Sequence, residues 1–331
     1  MLSFVIPVYN EAPSLDELYA ELDGVARQQG YQWELLFVDD GSTDGSWDAI
    51  QRLAARDARV RGLRFRRNFG KAAALSAGFR EVRGEVVFTL DADLQDDPQE
   101  IPRFLEELAA GRDLISGWKQ VRHDPWHKVG PSRVFNWLVS HLTGVQLHDH
   151  NCGFKCYRRA VLDDLELYGE RHRFVPVLAA ARGWKVGEVT VHHRARRFGH
   201  SKYGVARFVK GFLDLLTVRF LTAYGQRPQH LFGTLGLLAL GAGGIGFAVS
   251  AVWWLVQLLV GGSSVSVAVL PLGGLLCSLA ALLLGALLLA VGLVAELVTA
   301  QHMRDRAAYS IHERTPSGPA TAGAPAENQA G

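Results

Sequence analysis

The chain has 331 residues, room for about two domains. Its 35 basic and 33 acidic residues leave a net charge of +2, which argues against a dedicated nucleic-acid binder, normally far more basic. Three cysteines, one of them inside an apolar run, fit a reducing compartment without disulfides.

In chain order, the first 120 residues alternate short apolar runs with helical patterns. The opening MLSFVIPVYNEAPSLDE has neither a basic leader nor a sustained apolar core, so no signal peptide is expected and residues 1–200 are expected in the cytoplasm. LSFVIPV (2–8) reads as a strand, and a helix follows with Ser14 and Glu17 spaced as a capping box and Gly30 at its end. ELLFVDD (34–40) is the next strand, and GSTDGS turns into the helix DAIQRLAARD (48–57). VRGLRF (60–65), KAAALSAGFREV (71–82) and EVVFTL (85–90) continue as strand, helix and strand. This rhythm implies an α/β fold with a mainly parallel, Rossmann-like sheet and helices on both faces. Ligands of such sheets sit beyond the carboxyl ends of the strands, which selects VYNE, DDGSTDGS and DADLQDD.

In the third of these places, Val86 to Leu90 run into five carboxylates: Asp91, Asp93, Asp96, Asp97 and Glu100. Asp91 and Asp93, one residue apart in a turn, can converge on one hard cation; Mg²⁺ or Mn²⁺ with spare coordination positions then holds a diphosphate. Asp96, Asp97 and Glu100 surround Pro98 and read as a helix start, where negative charge favours the helix dipole. Further on, HDHNCGFKC places His148, His150, Cys152 and Cys156 at short spacing, but four ligands within nine residues seldom close a tetrahedron, so zinc is not expected.

Residues 201–224 repeat Val205, Phe208, Val209, Phe212, Leu215 and Leu216 at three- and four-residue spacing, with Lys202, Arg207, Lys210 and Asp214 between. This is an amphipathic helix, either packed on the core or lying in a bilayer interface, and its place before an apolar run favours the interface. From Leu231 to Ala295 there is no Asp, Glu, Lys or Arg. At about 1.5 Å per residue that run suits two crossings of a hydrocarbon core of about 30 Å, with a break at GGSSVSV. Two membrane helices are expected, at 231–260 and 268–297. Arg219, Arg227, Arg304 and Arg306 flank the run, which places both termini in the cytoplasm. GAGGIG (241–246) copies a dinucleotide fingerprint by accident, since no strand precedes it; its small residues suit close helix packing. The division expected is 1–200 catalytic, 201–230 juxtamembrane, 231–298 membrane-spanning, and 299–331 a Pro/Ala/Gly-rich disordered tail. The short, small-residue-rich spans make homo-oligomers plausible.

FVIPVYNE, LLFVDDGSTDGS, RNFGKAAALSAG and LDADLQDDP together resemble family 2 glycosyltransferases, whose nucleotide-sugar-binding fold is called GT-A. SRVFNWLVSHLTGVQLHDHNCGFKCYRR and RRFGHSKYG, followed by apolar helices, make the chain similar to polyprenyl-phosphate glycosyltransferases such as dolichol-phosphate mannose synthases and bacterial undecaprenyl-phosphate sugar transferases. The resemblance implies inverting, metal-dependent transfer of a sugar from a nucleotide diphosphate, UDP-linked, to polyprenyl phosphate for cell-envelope glycan or lipid modification. It implies that Pro7, Tyr9, Glu11, Asp39, Asp91 and Ala92 contact the nucleotide sugar, and that Asp91, Asp93 and Gln95 form the metal and diphosphate site. Asp40 is expected to bond backbone amides of the GSTDGS turn. The acceptor phosphate falls to Lys128, Ser132, Arg133, Arg196 and Lys202, and Asp149 and Asn151 lie near sugar and acceptor. Asp93 and Asp149 are the expected catalytic acids, Asp149 in orienting rather than deprotonating. Where the family has an arginine near residue 118, this chain has Trp118 and Lys119. The rivals are a processive glycan synthase, which needs a Q-x-x-R-W motif not found here, and a non-catalytic membrane scaffold, which predicts lost strand-end acids.

Overall fold

The computed structural model describes residues 1–120, 126–165, 171–194, 206–225, 227–260 and 265–302. Four parallel strands come first: β1 (Leu2–Val8), β2 (Trp33–Asp39), β3 (Val60–Arg64) and β4 (Val86–Thr89), side by side in the order β3-β2-β1-β4. Helices α1 (Leu15–Gln29), α2 (Ser46–Arg56) and α3 (Lys71–Glu81) connect them. Strand residues alternate between faces, which splits the core in two. Phe4, Ile6, Leu35 and Phe37 face Leu18, Leu22, Ile50 and Leu53 of α1 and α2. Val5, Leu36 and Val38 face Ala74, Leu75 and Phe79 of α3. Burial on both sides is why these strands read as continuous apolar runs.

After α4 (Ile101–Ala109) the sheet continues with β5 (Leu114–Trp118), β6 (Lys155–Arg158) and β7 (Val186–Thr190), completing the order β3-β2-β1-β4-β6-β5-β7. β6 runs antiparallel to both β4 and β5, while β5 and β7 are parallel. The reversal matters for function: an antiparallel strand begins where its parallel neighbour ends. Lys155, at the start of β6, pairs with Thr89 at the end of β4, so residues 149–153 cross the carboxyl edge of the sheet. Helices α5 (Trp126–Thr143), α6 (Arg159–Asp164) and α7 (Val175–Ala181) complete this part.

The capping box does not form. A short 3₁₀ turn, Ala12–Ser14, precedes α1, and the Ser14 hydroxyl donates to the Glu11 carbonyl at 2.8 Å instead of capping the helix. Gly30 does end α1 in the left-handed conformation, φ 68°.

α8 (Ala206–Tyr224) packs one side on the core and leaves apolar residues exposed on another. Leu215 and Val218 are buried with Val139 of α5, Phe174, and Val177 of α7, whereas Phe212, Leu213 and Leu216 are 45%, 57% and 46% exposed. α9 (Pro228–Val260) and α10 (Val265–His302) follow, on either side of the expected break. Each contains 30 residues long and apolar enough to cross a membrane, with mean hydropathy 2.0 and 2.6. Only 11% and 17% of those segments are buried, unlike the core helix of a soluble protein. The two pack through small residues. A Cβ on Gly236 falls 2.9 Å from the Gly285 carbonyl, and one on Gly243 falls 2.9 Å from the Ser278 carbonyl, so GAGGIG serves helix contact as expected.

Candidate active site

The loops after β1 and β2 are sewn to each other through backbone amides. Asn10 N donates to Ser42 Oγ at 2.9 Å, Glu11 N to Ser46 Oγ at 3.0 Å and Ala12 N to Asp44 Oδ2 at 3.1 Å, while Thr43 N returns a bond to Asn10 Oδ1 at 2.8 Å. Asn10 takes a left-handed φ of 56°, a conformation asparagine tolerates better than most residues. This lattice holds Pro7, half-buried in β1, beside the exposed Tyr9 and half-buried Glu11. Asp39, fully buried at the end of β2, accepts from Ser42 N at 2.9 Å, and its Oδ2 lies 3.3 Å from Arg64 Nε.

Asp40 is structural, but not in the expected turn. Its oxygens accept from Phe69 N at 2.6 Å and Gly70 N at 2.9 Å, in the segment leading into α3; the bond within GSTDGS belongs to Asp39. Burial raises the Asp40 carboxyl above its ordinary value, which the two amides partly offset. Gly41 allows the close approach: its φ is 73°, and a Cβ there falls 2.6 Å from the Arg67 carbonyl carbon.

At the end of β4, the Asp91 carboxylate pairs with the Lys71 ammonium from the first position of α3. Burial alone raises such a carboxyl, but the charges of Lys71 and Lys119 outweigh it and hold Asp91 well below the usual carboxylate range. Asp91 is thus ionised at neutral pH, with a third of its side chain open to solvent. Ala92 and Asp93 are buried, and Asp93 Oδ1 accepts from Gln95 N at 3.2 Å. Leu94 between them adopts φ 61°, a conformation that costs a leucine on the order of 1 kcal/mol or more. The Gln95 amide lies 3.4 Å from His193 Nε2 and 3.4 Å from the Arg194 carbonyl.

The three remaining acids separate. Asp97 caps the following turn, accepting from Gln99 N at 3.0 Å, and pairs with Arg194 at 2.7 Å. Glu100 pairs with Arg103 at 2.6 Å and accepts from His192 N at 3.1 Å. Asp96 is no solvated helix-start residue: it is 1% exposed, with Lys119 Nζ 2.9 Å from its Oδ1. Lys119 thus serves as the partner of a buried carboxylate.

The segment before β6 brings the fourth contribution. Asp149 is buried; its Oδ1 accepts from Asn151 N at 3.1 Å. Asn151 donates to Asn136 Oδ1 at 3.2 Å, and Asn136 of α5 donates to the His148 carbonyl at 2.9 Å. Gly153 rests on the Asp91 carboxylate itself: a Cβ there falls 2.6 Å from Oδ2 and 2.9 Å from Oδ1. The buried Lys155 ammonium donates to the carbonyls of Cys152 and His150 and so fixes this crossing. The four residues of the discounted zinc set go separate ways. His148 stacks on Trp118 with ring centroids 4.0 Å apart and pairs with Glu188. His150 hydrogen-bonds Ser140 at 3.0 Å, and burial, with Lys155 adding, pushes its imidazole down to about 4. Cys152 and Cys156 are buried, and burial pushes the Cys152 thiol up to about 12.

Beside these strand ends lies a cleft of about 500 Å³, lined among others by Trp118, Lys119, Arg133, Asn136, Trp137 and His148. Arg133 is exposed on its α5 wall, with the half-buried Ser132 next to it. Lys128 belongs to α5, but its side chain, together with Arg196 and Lys202, lies outside the described residues.

Among the described residues no group of three His, Cys, Asp or Glu side chains is placed to hold a metal ion. Asp91 and Asp93 nonetheless fit a hard divalent cation of the kind that takes one or two carboxylates and completes its shell with substrate phosphates. Asp91 is ionised, and glycine at 153 keeps side-chain bulk off it. Sequence reasoning missed Lys71, Gly153 and Asn136. For Lys71 the signal was present: a lysine opening a helix directly after a glycine, in the connection that follows the carboxyl end of β3.

Residues 3–166 match the family model described as "Glycosyl transferase family 2". The chain is 35% identical over 311 residues to the dodecaprenyl-phosphate galacturonate synthase of Rhizobium johnstonii, covering 92% of this chain and 90% of that protein. It is 40% identical over 243 residues to the undecaprenyl-phosphate 4-deoxy-4-formamido-L-arabinose transferase of Pseudomonas fluorescens, covering 72% and 70%. Among solved structures, glucosyl-3-phosphoglycerate synthase from Mycobacterium tuberculosis in complex with Mn²⁺, UDP and phosphoglyceric acid matches with a TM-score of 0.53 at 17% identity, over 67% of this chain and 78% of that one. Mannosyl-3-phosphoglycerate synthase from Rubrobacter xylanophilus gives 0.54 at 17% identity, over 66% and 74%. Those two likenesses establish the GT-A fold, whereas the Rhizobium relative extends over nearly the whole chain: this chain belongs to glycosyl transferase family 2 and is a glycosyltransferase.

Proposed function

We propose that the enzyme transfers a sugar from a UDP-sugar to polyprenyl phosphate, with inversion, at the cytoplasmic face of the plasma membrane. The observation that carries this reading is likeness over 92% of the chain to a relative named for a polyprenyl-phosphate product, the apolar C-terminal helices included. The four site segments support it. Pro7, Tyr9, Glu11 and Asp39 receive the nucleoside from the joined loops after β1 and β2. Asp91 and Asp93, with Ala92 and Gln95 in the same turn, receive the diphosphate. A divalent cation, Mg²⁺ or Mn²⁺, held by the two acids would neutralise the departing diphosphate.

The acceptor lies on the α5 side, where Arg133 borders the cleft with Ser132 next to it in sequence. Lys128, Arg196 and Lys202, whose side chains lie outside the described residues, are the further cations that the family resemblance assigns to its phosphate. A phosphate monoester has a second pKa near 6, so at neutral pH it is largely a dianion and needs no general base. One of its oxygens attacks the anomeric carbon as the bond from that carbon to the diphosphate breaks, and no proton has to move. Buried Asp149, held by Asn151 N, orients the sugar or acceptor instead of deprotonating it. Residues 1–200 form the catalytic unit; 201–230 lie against the bilayer, 231–298 span it twice, and 299–331 return to the cytoplasm.

A donor screen tests the reading: purified enzyme, undecaprenyl phosphate, Mg²⁺ or Mn²⁺, and a panel of UDP- and GDP-sugars, with the product mass read out. A glycosyl undecaprenyl phosphate from one UDP-sugar is expected. Product from a GDP-sugar alone contradicts the base assignment, and hydrolysis without lipid product contradicts the acceptor.

A further inference from the structure

Lys71 is aimed at Asp91 by its mount. It opens α3 directly after Gly70, and both Gly70 N and Phe69 N are held by the buried Asp40 carboxylate. On the other side of that carboxylate, Gly41 lies so close to Arg67 that no side chain fits between them. The segment delivering the ammonium is therefore clamped at Arg67, Phe69 and Gly70, unlike the mount of an ordinary surface lysine. Asp91 is clamped as well, with Gly153 resting on its carboxylate and Asp91 N donating to Asp96 Oδ2 at 3.4 Å. The ion pair joins two rigid supports, on the carboxylate that the metal reading assigns to a divalent cation.

An ammonium and a divalent cation on one carboxylate repel each other, so the metal has to displace Lys71 or bind against its charge. Without nucleotide, the displaced ammonium stays beside the incoming positive charge and opposes it. With a diphosphate present, the same ammonium has anionic oxygens within reach of its flexible stem. We propose that Lys71 is a resident counter-cation of Asp91 that makes metal binding conditional on the nucleotide, passing from the carboxylate to the diphosphate as the metal enters. The inference rests on the metal reading of Asp91 and Asp93 given above. By linkage the coupling is reciprocal: nucleotide strengthens metal binding by the factor with which metal strengthens nucleotide binding.

The test is Mn²⁺ binding to the full-length protein in detergent, followed by the electron paramagnetic resonance signal of free Mn²⁺, with and without UDP. Wild type is expected to bind Mn²⁺ weakly alone and much more tightly with UDP. Lys71→Met is expected to bind Mn²⁺ alone about tenfold more tightly, the order of magnitude for releasing one partly exposed charged hydrogen bond, and to gain less from UDP. Lys71→Arg, which keeps the charge, is expected to follow wild type; Lys71→Gln serves if the methionine variant does not fold. Mn²⁺ affinity unchanged or weakened in the neutral variants, with wild type still binding Mn²⁺–UDP, overturns the role of Lys71 alone. Wild type that binds no Mn²⁺ even with UDP overturns the metal reading and this inference together.

Discussion

Gly153 shows how narrowly a single residue conditions the site. Its Cα packs on Asp91 so closely that a methyl group falls 2.6 Å from Oδ2, and neither neighbour can retreat without disturbing the Lys155 tether or the Lys71 pair. Gly153→Ala is expected to lower turnover about 10- to 100-fold, the range for groups that hold a metal ligand in place, with the melting temperature little changed; normal turnover contradicts the contact. His150 makes a second prediction. It is buried and neutral, its pKa lowered from the ordinary 6.5 to about 4. Between those values the unfolded chain binds a proton that the folded chain refuses, so stability falls as pH falls through this window, by up to roughly 3 kcal/mol in all. Melting curves from pH 7 to 4 should show His150→Gln less acid-sensitive than wild type; equal sensitivity contradicts the burial cost. The Asp91-x-Asp93 pair was legible beforehand because it is local and follows an apolar strand. That Asp40 holds the segment before α3 and leaves the Ser42 amide to Asp39 was not, because the amides that Asp40 serves lie 29 and 30 residues along the chain.

Among the elements, β6 and α8 differ most in how their sequences read. β6 has four residues, Lys155–Arg158, with a cation at each end, and such a stretch carries no strand periodicity. Only the sheet shows that it runs backwards and so returns Asp149 and Gly153 to the end of β4. β1, β2 and β4 were readable because burial on both faces leaves a nearly unbroken apolar run, whereas β3, at the sheet edge, carries two arginines in VRGLR. α8 carries two apolar faces, and substitution separates them. Leu215→Ala, in the cluster with Val139 and Phe174, should cost about 2–5 kcal/mol of stability. Phe212→Ser with Leu216→Ser, both exposed, should stay within roughly 0.5 kcal/mol per site. If that face meets lipid, the double variant raises KM for the lipid acceptor in proteoliposomes and leaves the donor KM alone. Unchanged acceptor KM contradicts an interfacial role.

In the whole molecule, a parallel sheet gathers its loops at one edge, an antiparallel strand adds a crossing from the opposite direction, and two helices long and apolar enough to cross a membrane follow. The charge-free run and the strand–helix rhythm made this plan readable, since both are long-range regularities of composition. The pairings that hold the site, Lys71 with Asp91 and Lys119 with Asp96, join residues 20 and 23 positions apart in sequence, and only the fold brings them together. The central claim is that Asp91 and Asp93 serve the transfer of a sugar to a lipid phosphate. Its most direct test is release of UDP from the cognate UDP-sugar, measured with and without undecaprenyl phosphate, for wild type and a folded Asp93→Ala variant. Loss of a metal ligand worth several kcal/mol should leave the variant slower by on the order of 100-fold or more, with wild-type release dependent on the lipid. Near-normal release by Asp93→Ala, or wild-type release indifferent to undecaprenyl phosphate, would contradict it.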